Sequence, residues 1–532
     1  MPKKIATFIG LIGAFALMIG SPVIHAAVVL VNFVVHGFIL GLQLLGARLS
    51  RKPLARRSVG GEEPFISIHV PAHNEPPELL KETLLSLSRL KWSNYEVLVI
   101  DNNTSDESLW KPVEAFCREL GEKFKFHHVE NLPGFKAGAM NYVRQFMDPK
   151  AEFIFVVDAD YVVERRALRR AIRYFTDPKI GLIQFPQDYR NTGPGNIGIA
   201  LDFKHFFSGY MTMANTLQCV PSTGTLSLIS VAALRDVGGF STESITEDAD
   251  IGFRLNVRGY KCIFVNESIG KGVLPHDLEG LKKQRWRWAF GNAQILKLNW
   301  RKILGGKQLS WRQKLGFVTH LTAWFNFNLV PSISLIALGV KSLFFALTPL
   351  DHASVAISAT TLVTYLIVRF ATIYLSLRHD GHSIKEILLA YLTHLGLGWV
   401  FGASWIKCIW DHRAPFVRTN KFIHDNMPGI IRHAMMEIVM GLAMVVASIA
   451  LILGDLIFGP LAALLICSGR LLIFWVAHQI KATWRLSQAA LGKAPLPVKF
   501  ERGEAFAPIL QQSMRSPAGA FGVRTEAERI AA

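Results

Sequence analysis

The sequence predicts an α/β domain with a mostly parallel sheet, inserted between transmembrane α-helices. Three observations carry that prediction. Between residues 62 and 314, short apolar runs alternate with segments of helical spacing, the pattern of βαβ units. Long apolar stretches flank this region on both sides. The chain is 50% hydrophobic and only 18% charged, with a mean hydropathy of +0.28, whereas a soluble domain carries about a quarter charged residues. This composition excludes a disordered chain and a disulfide scaffold. Cys117, Cys219, Cys262, Cys408 and Cys467 form no CxxC pair and suit a reducing compartment. The formal net charge is +18, from 58 Lys and Arg against 40 Asp and Glu. Such a balance fits nucleic-acid binding or a membrane protein with positive cytoplasmic loops, and the apolar composition favours the membrane.

Residues 1–61 predict a transmembrane hairpin. The run Ile5–Ala47 contains no Lys, Arg, Asp or Glu and has room for two spans of about 20 residues each. Ser21-Pro22 is the natural break. Lys3 and Lys4 precede the run, and Arg48, Arg51, Lys52, Arg56 and Arg57 follow it, which predicts that both ends face the cytoplasm. A signal peptide cleaved near His25-Ala26 is the competing reading.

Residues 62–314 predict a soluble α/β domain. The strand candidates are FISIHV (65–70), YEVLVI (95–100), FKFHHV (124–129), EFIFVV (152–157) and IGLIQF (180–185), with helical spacing over Leu79–Leu90, Glu107–Leu120 and Ala167–Tyr174. Residues 315–481 predict transmembrane and interface helices, in apolar stretches over Leu315–Leu350, Ala353–Leu377, Ile387–Ile409, Ile430–Leu453 and Ile457–Ile480. Cationic loops at Arg378–Lys385 and Arg413–Lys421 place both ends of Ile387–Ile409 in the cytoplasm. That stretch, with His394, Trp399, Trp405 and Lys407, therefore reads as an interfacial helix. The tail 482–532 reads as cytoplasmic, since from Lys481 onward it has eight Lys and Arg against four Glu.

In parallel sheets ligands bind beyond the carboxyl ends of the strands, and acidic residues stand there. FISIHV runs into Pro71-Ala72-His73-Asn74-Glu75, YEVLVI into Asp101-Asn102-Asn103, and EFIFVV into Asp158-Ala159-Asp160. Asp158 and Asp160 can approach Mg²⁺ or Mn²⁺ from one side, with phosphate and water completing the shell. A solvated turn has the same sequence. Asp101 can accept from a base or ribose, or close an Asx-turn. The loop Asn131–Ala139 opens a helix where Lys136 and backbone amides can meet phosphate, but no P-loop is present. Thr246-Glu247-Asp248 supplies further carboxylates. From Lys282 to Lys314 there are ten Lys and Arg and no acid, with Trp286, Trp288, Trp300 and Trp311 interleaved. That segment fits single-stranded nucleic acid, an anionic lipid surface, or a sugar-polymer site in which Trp faces meet pyranose rings and Arg grips a diphosphate.

Taken in order, Asp101, Asp158-Ala159-Asp160, Thr246-Glu247-Asp248 and Gln284-Arg285-Trp286-Arg287-Trp288 resemble the D, DxD, TED and QxxRW motifs of membrane-integrated family 2 glycosyltransferases. That group includes the cellulose synthases. Gly134–Asn141 is similar to its GxKAGALN loop, and Phe416–Lys421 to its FxVTxK gating loop, with Arg418 in place of Val. The resemblance spans about residues 62–421, and Gln184–Arg190 points toward bacterial β-glucan synthases of the cyclic-glucan type. It implies a cytoplasmic GT-A (Rossmann-like) domain in the bacterial inner membrane that polymerises glucose from UDP-glucose into an exported β-glucan. Asn74, Glu75, Asp101, Lys136 and Asp158 are implied to bind the nucleotide sugar, and Asp158 and Asp160 the metal, Mg²⁺ or Mn²⁺. Asp248 is implied as the base, and Gln284, Arg287 and Trp288 as acceptor contacts. Phe416, Thr419 and Lys421 fall in a gating-type loop at 411–424. The implied partners are the UDP-sugar, the growing polysaccharide, membrane lipids and accessory export proteins, and no nucleic acid. The alternatives are transfer of one sugar to a polyprenyl-phosphate lipid, another polymer such as a mannan or a chitin-like chain, or a non-enzymatic transporter or nucleic-acid-binding membrane protein.

Overall fold

The computed structural model describes residues 20–48, 54–56, 63–275, 278–411, 413–414, 434–454 and 459–461, with a few isolated positions near either end. Phe416, Thr419 and Lys421, the first half of the N-terminal hairpin, most of Ile457–Ile480 and nearly all of the tail 482–532 lie outside the described residues.

The core is a seven-stranded sheet in the order β3-β2-β1-β4-β8-β6-β9. Its strands are β1 (Ile66–Ala72), β2 (Tyr95–Asn102), β3 (Phe124–Val129), β4 (Phe153–Val156), β6 (Ile180–Gln184), β8 (Ser227–Ser230) and β9 (Lys261–Phe264). β1 pairs parallel with both β2 and β4, and β2 with β3. β8 alone runs antiparallel, between β4 and β6. Near-continuous burial of Ile66, Ile68 and Val70, and of Val97 through Ile100, matches a sheet covered on both faces. Strands β5 (Val162–Val163), β7 (Asp188–Tyr189) and β10 (Gly270–Gly272) form a small second sheet. Strand order reverses direction at β1 and β4, which opens the crevice where ligands bind.

Among the described residues, three helices are long and apolar enough to cross a membrane: Pro22–Ala47, Pro349–Arg378 and Met435–Leu453. The first begins at the predicted break, with the Ser21 hydroxyl accepting from Ile24 N and Pro22 in the first turn. Two expectations change. The apolar stretch Leu315–Leu350 is not one element but the helices Trp311–Leu321 and Leu329–Phe344, since Asn326 turns inward to donate to Tyr365 at 3.0 Å and breaks the run. The stretch Ile387–Ile409 is two helices, Ile384–Gly396 and Gly398–Trp410, bent by 41°. At the bend a Cβ on Gly398 would meet the Asn326 amide at 2.7 Å, and one on Gly402 the Asn326 carbonyl at 2.6 Å, so glycines let this pair pack against the turn.

Candidate active site

A cavity of about 260 Å³ opens at the crevice beyond β1 and β4. It gathers residues that lie far apart in the chain: Glu75, Lys136, Asp158, Asp160, Asp248, Gln284, Arg287 and Trp288 all line it. Asn74 and Asp101 do not. Asp101 is buried at the end of β2, where Thr104 donates to Oδ1 at 2.7 Å and His128 Nδ1 to Oδ2 at 2.8 Å. Burial raises its pKa, while the bonds from Thr104 and His128 act the other way. Asn74, at φ 50°, donates its backbone N–H to the same Thr104 hydroxyl at 2.8 Å. These two residues shape the loops behind the cavity wall.

Lys136 sits in the first turn of the helix Phe135–Val143, which starts at Gly134 in the left-handed conformation (φ 87°). The loop ahead of it is fixed by Asn103, which exchanges two 2.8 Å hydrogen bonds with the Leu132 backbone. Lys136 donates to Asp158 Oδ1 at 2.6 Å and to the Gly224 carbonyl at 2.7 Å, and lies 4.0 Å from Glu247. Burial alone would lower its pKa, but the Asp158, Glu247 and Asp248 carboxylates outweigh it and hold the ammonium above its ordinary range.

Asp158 and Asp160 follow β4. The Asp158 N–H donates to Thr225 at 3.0 Å, and Asp160 accepts from Val273 N at 3.3 Å. No group of three or more His, Cys, Asp or Glu that could hold a metal occurs among the described residues. Two hard carboxylates at the mouth of a cavity nevertheless fit Mg²⁺ or Mn²⁺, which commonly take one or two protein carboxylates and fill the shell with phosphate and water.

Glu247 and Asp248 open the helix Glu247–Val257, where carboxylates favour the N-terminal dipole. Burial, then repulsion from Asp248, raises Glu247 to about 7, and burial also raises Asp248. This helix start is tied to the long helix Leu278–Gly305. Gln294 accepts from Ile245 N at 3.0 Å and donates to the Glu243 carbonyl at 3.1 Å, while Thr246 fills the space over Gly291, where a Cβ would come within 2.3 Å. Gln284, Arg287 and Trp288 project from the same long helix into the cavity.

Gly224 escaped the sequence reading, and so did the structural role of Gln184 and Gln187. Gly224 (φ 81°) lies under the carboxylates, where a Cβ would sit 2.7 Å from Asp248 Oδ2. Gln184 holds its loop, accepting from Thr223 N at 2.9 Å and donating to the Thr225 carbonyl at 2.8 Å. Gln187 adds a 2.8 Å bond to the Thr223 carbonyl. The stretch Gln184–Arg190 thus supports the cavity floor, a role that only pairing across some forty residues reveals.

Residues 153–377 match a family model described as glycosyl transferase family group 2, and residues 67–238 one described as glycosyl transferase family 2. The cellulose synthase catalytic subunit (UDP-forming) of Xanthomonas axonopodis pv. citri is 27% identical over 318 residues, 54% of this chain and 42% of that protein. Glucomannan 4-beta-mannosyltransferase 7 of Arabidopsis thaliana is 24% identical over 267 residues, 47% of each. The matches therefore span less than half the length of these curated relatives. A mannosyltransferase from Pyrobaculum calidifontis, solved with GDP-Man and Mn2+, superposes with a TM-score of 0.53 at 18% identity, over 73% of this chain and 99% of its own. That likeness shows the fold, GT-A. The two overlapping models together span residues 67–377, which hold the sheet, the cavity and the helices behind it, and with these relatives they support a glycosyltransferase family 2 member resembling the cellulose synthases.

Proposed function

We propose that the protein is a processive, inverting hexosyltransferase. It polymerises glucose from UDP-glucose into a β-glucan and passes the chain across the bacterial inner membrane, with the catalytic domain cytoplasmic. The observation that carries this reading is the meeting of Asp248 with Lys136, Asp158 and Asp160 on one side and with Gln284, Arg287 and Trp288 on the other, around a single cavity.

Asp158 and Asp160 would hold Mg²⁺ or Mn²⁺, which neutralises charge on a diphosphate leaving group. Lys136 and Arg287 bring positive charge to the same diphosphate. Glu75 lines the donor end of the cavity. Trp288 offers a face to the acceptor sugar. Asp248 takes the proton of the acceptor hydroxyl as its oxygen attacks the anomeric carbon from the side opposite the departing UDP, so the configuration inverts. Base catalysis of this kind supplies roughly 10²–10⁴-fold, and fixed geometry much of the remainder.

UDP release from UDP-glucose by purified membranes, compared with Asp248→Asn, tests the assignment. The variant is expected to lose about 10²-fold or more, and equal rates would remove Asp248 as the base. A mannosyl reading is favoured by the mannosyltransferases among the similar proteins. Faster turnover of GDP-mannose than of UDP-glucose would select it, and a single labelled lipid product would replace polymerisation by single-sugar transfer.

A further inference from the structure

Behind the Trp288 wall lies a charge cluster that this mechanism does not use. Asp202, on the helix Ile197–His205, and Arg285, on the helix Leu278–Gly305, are both fully buried. Arg285 Nη2 donates to Asp202 Oδ2 in a close ion pair. The other carboxylate oxygen accepts from His394 Nδ1 at 2.9 Å, across on the helix Ile384–Gly396. Among the described residues, Arg285 Nε and Nη1 have no hydrogen-bond partner. Aromatic faces stand there instead: the guanidinium carbon is 3.7 Å from the centre of the Phe203 ring, 5.0 Å from Trp324 and 5.4 Å from Trp288. Among the described residues, one carboxylate and three rings therefore stand closest to this buried cation.

Those rings reach the cavity. Trp288 meets Phe203 edge-on at 5.4 Å and tilts against Trp324 at 6.1 Å. Phe203 also packs edge-on against Tyr189 at 4.8 Å, and Tyr189 lines the cavity with Trp288. Asp202 and Phe203 are neighbours in sequence, so one helix turn supplies both the counter-ion and a stacking face. Arg285 precedes Trp288 by three residues and shares its helix face. Any displacement of the guanidinium is thus passed to both cavity-lining rings.

We propose that Asp202 is a positioning residue for the acceptor: by holding Arg285 in place it seats the Phe203 and Trp324 rings around the guanidinium and so fixes the orientation of Trp288, which both rings touch. The inference rests on the transferase reading above. It separates two properties of the enzyme. Donor binding, which belongs to Lys136 and Asp158, is untouched, while acceptor retention and polymer length depend on the pair.

The test uses the full-length protein in lipid nanodiscs, as wild type, Asp202→Asn, Arg285→Gln and the double variant. UDP release, product length and calorimetric UDP affinity are measured for each. Each single variant is expected to shorten the product and cut turnover roughly tenfold or more, with UDP affinity within about twofold of wild type. The double variant should be no worse than the weaker single one, because cation and counter-ion leave together. Wild-type product length in Asp202→Asn, UDP affinity falling in step with turnover, or multiplied effects in the double variant would each overturn the inference. A wild type that releases no UDP would instead remove the transferase reading, and the inference with it. Should Asp202→Asn fail to accumulate, Arg285→Lys, which keeps the charge and loses the flat face, carries the same expectations and the same contrary results.

Discussion

Lys136 donates a 2.6 Å hydrogen bond to Asp158 at the cavity wall, joining the helix that follows β3 to the loop that follows β4. The same ammonium lies 4.0 Å from Glu247. One cation thus serves carboxylates from two separate segments, the loop after β4 and the start of the helix Glu247–Val257. Lys136→Met is expected to weaken UDP binding by about 10–100-fold, the scale of a charge-assisted hydrogen bond at 1.4 kcal/mol per tenfold. Calorimetry with UDP checks this. The same variant should unfold at a lower temperature, because it leaves Asp158, Glu247 and Asp248 without their shared counter-charge.

The carboxylate pair gives the pH dependence a definite sign. Burial and then Asp248 raise Glu247 to about 7 from its ordinary 4.5, and Asp248 is raised by burial. A base must be deprotonated, so turnover should fall on the acid side, with its midpoint above the ordinary carboxylate range because burial raises Asp248. Glu247→Gln removes the neighbouring negative charge and should move that acid limb to lower pH. Stability runs the other way. A carboxyl whose folded-state pKa is raised binds its proton more tightly when folded, so its contribution is full below 4.5 and is lost as pH rises to about 7. Melting temperatures recorded across this window should decline with pH at this site in wild type and decline less in Glu247→Gln.

Gly224 is the position where backbone shape matters most. Its φ of 81° costs an L-residue roughly 1–2 kcal/mol, and a Cβ would stand 2.7 Å from Asp248 Oδ2 and 3.3 Å from Lys136 Nζ. Neither neighbour can retreat without breaking the contacts that place it. Gly224→Ala is therefore expected to lower stability by about that amount and turnover by up to roughly 10²-fold, as a displacement of 1 Å at a reacting group can. Thermal unfolding and UDP release measure the two effects separately.

Much of this architecture was legible from the sequence. Strands β1, β2, β4 and β6 are largely buried on both faces, and a continuous apolar run announces such a strand directly; the edge strand β3, with only Phe124 buried, was marked by its Phe124, Phe126 and Val129. The antiparallel β8 was not read, because Ser227–Ser230 is four residues long and follows a Ser-Thr-Gly-Thr loop. β5, β7 and β10 are too short to show any period. The motif acids and the Gln284–Trp288 segment could be read because spacing along the chain preserved them. Arg285 shows where that kind of reading stops. One of ten cations in a basic segment, it looks ready for a lipid or phosphate surface. It is instead buried against Asp202, 83 residues away, and only the packing of two distant helices brings them together.

Asp101, implied by its motif as a nucleotide ligand, has a second candidate role in its surroundings. Thr104 donates to Asp101 at 2.7 Å while accepting from Asn74 N at 2.8 Å, so one hydroxyl ties the loop after β1 to the loop after β2. Asp101→Ala should release that hydroxyl and loosen both loops, lowering UDP affinity by about tenfold, the value of one to two hydrogen bonds. Thr104→Val leaves Asp101 in place and removes only the bridge. If Asp101 acts through the bridge, Thr104→Val should reproduce most of the loss in UDP affinity. If the carboxylate meets the nucleoside itself, the threonine variant should bind UDP nearly as wild type does. Calorimetric titration of both variants with UDP separates the two, and the buried position of Asp101 behind the cavity wall favours the bridge.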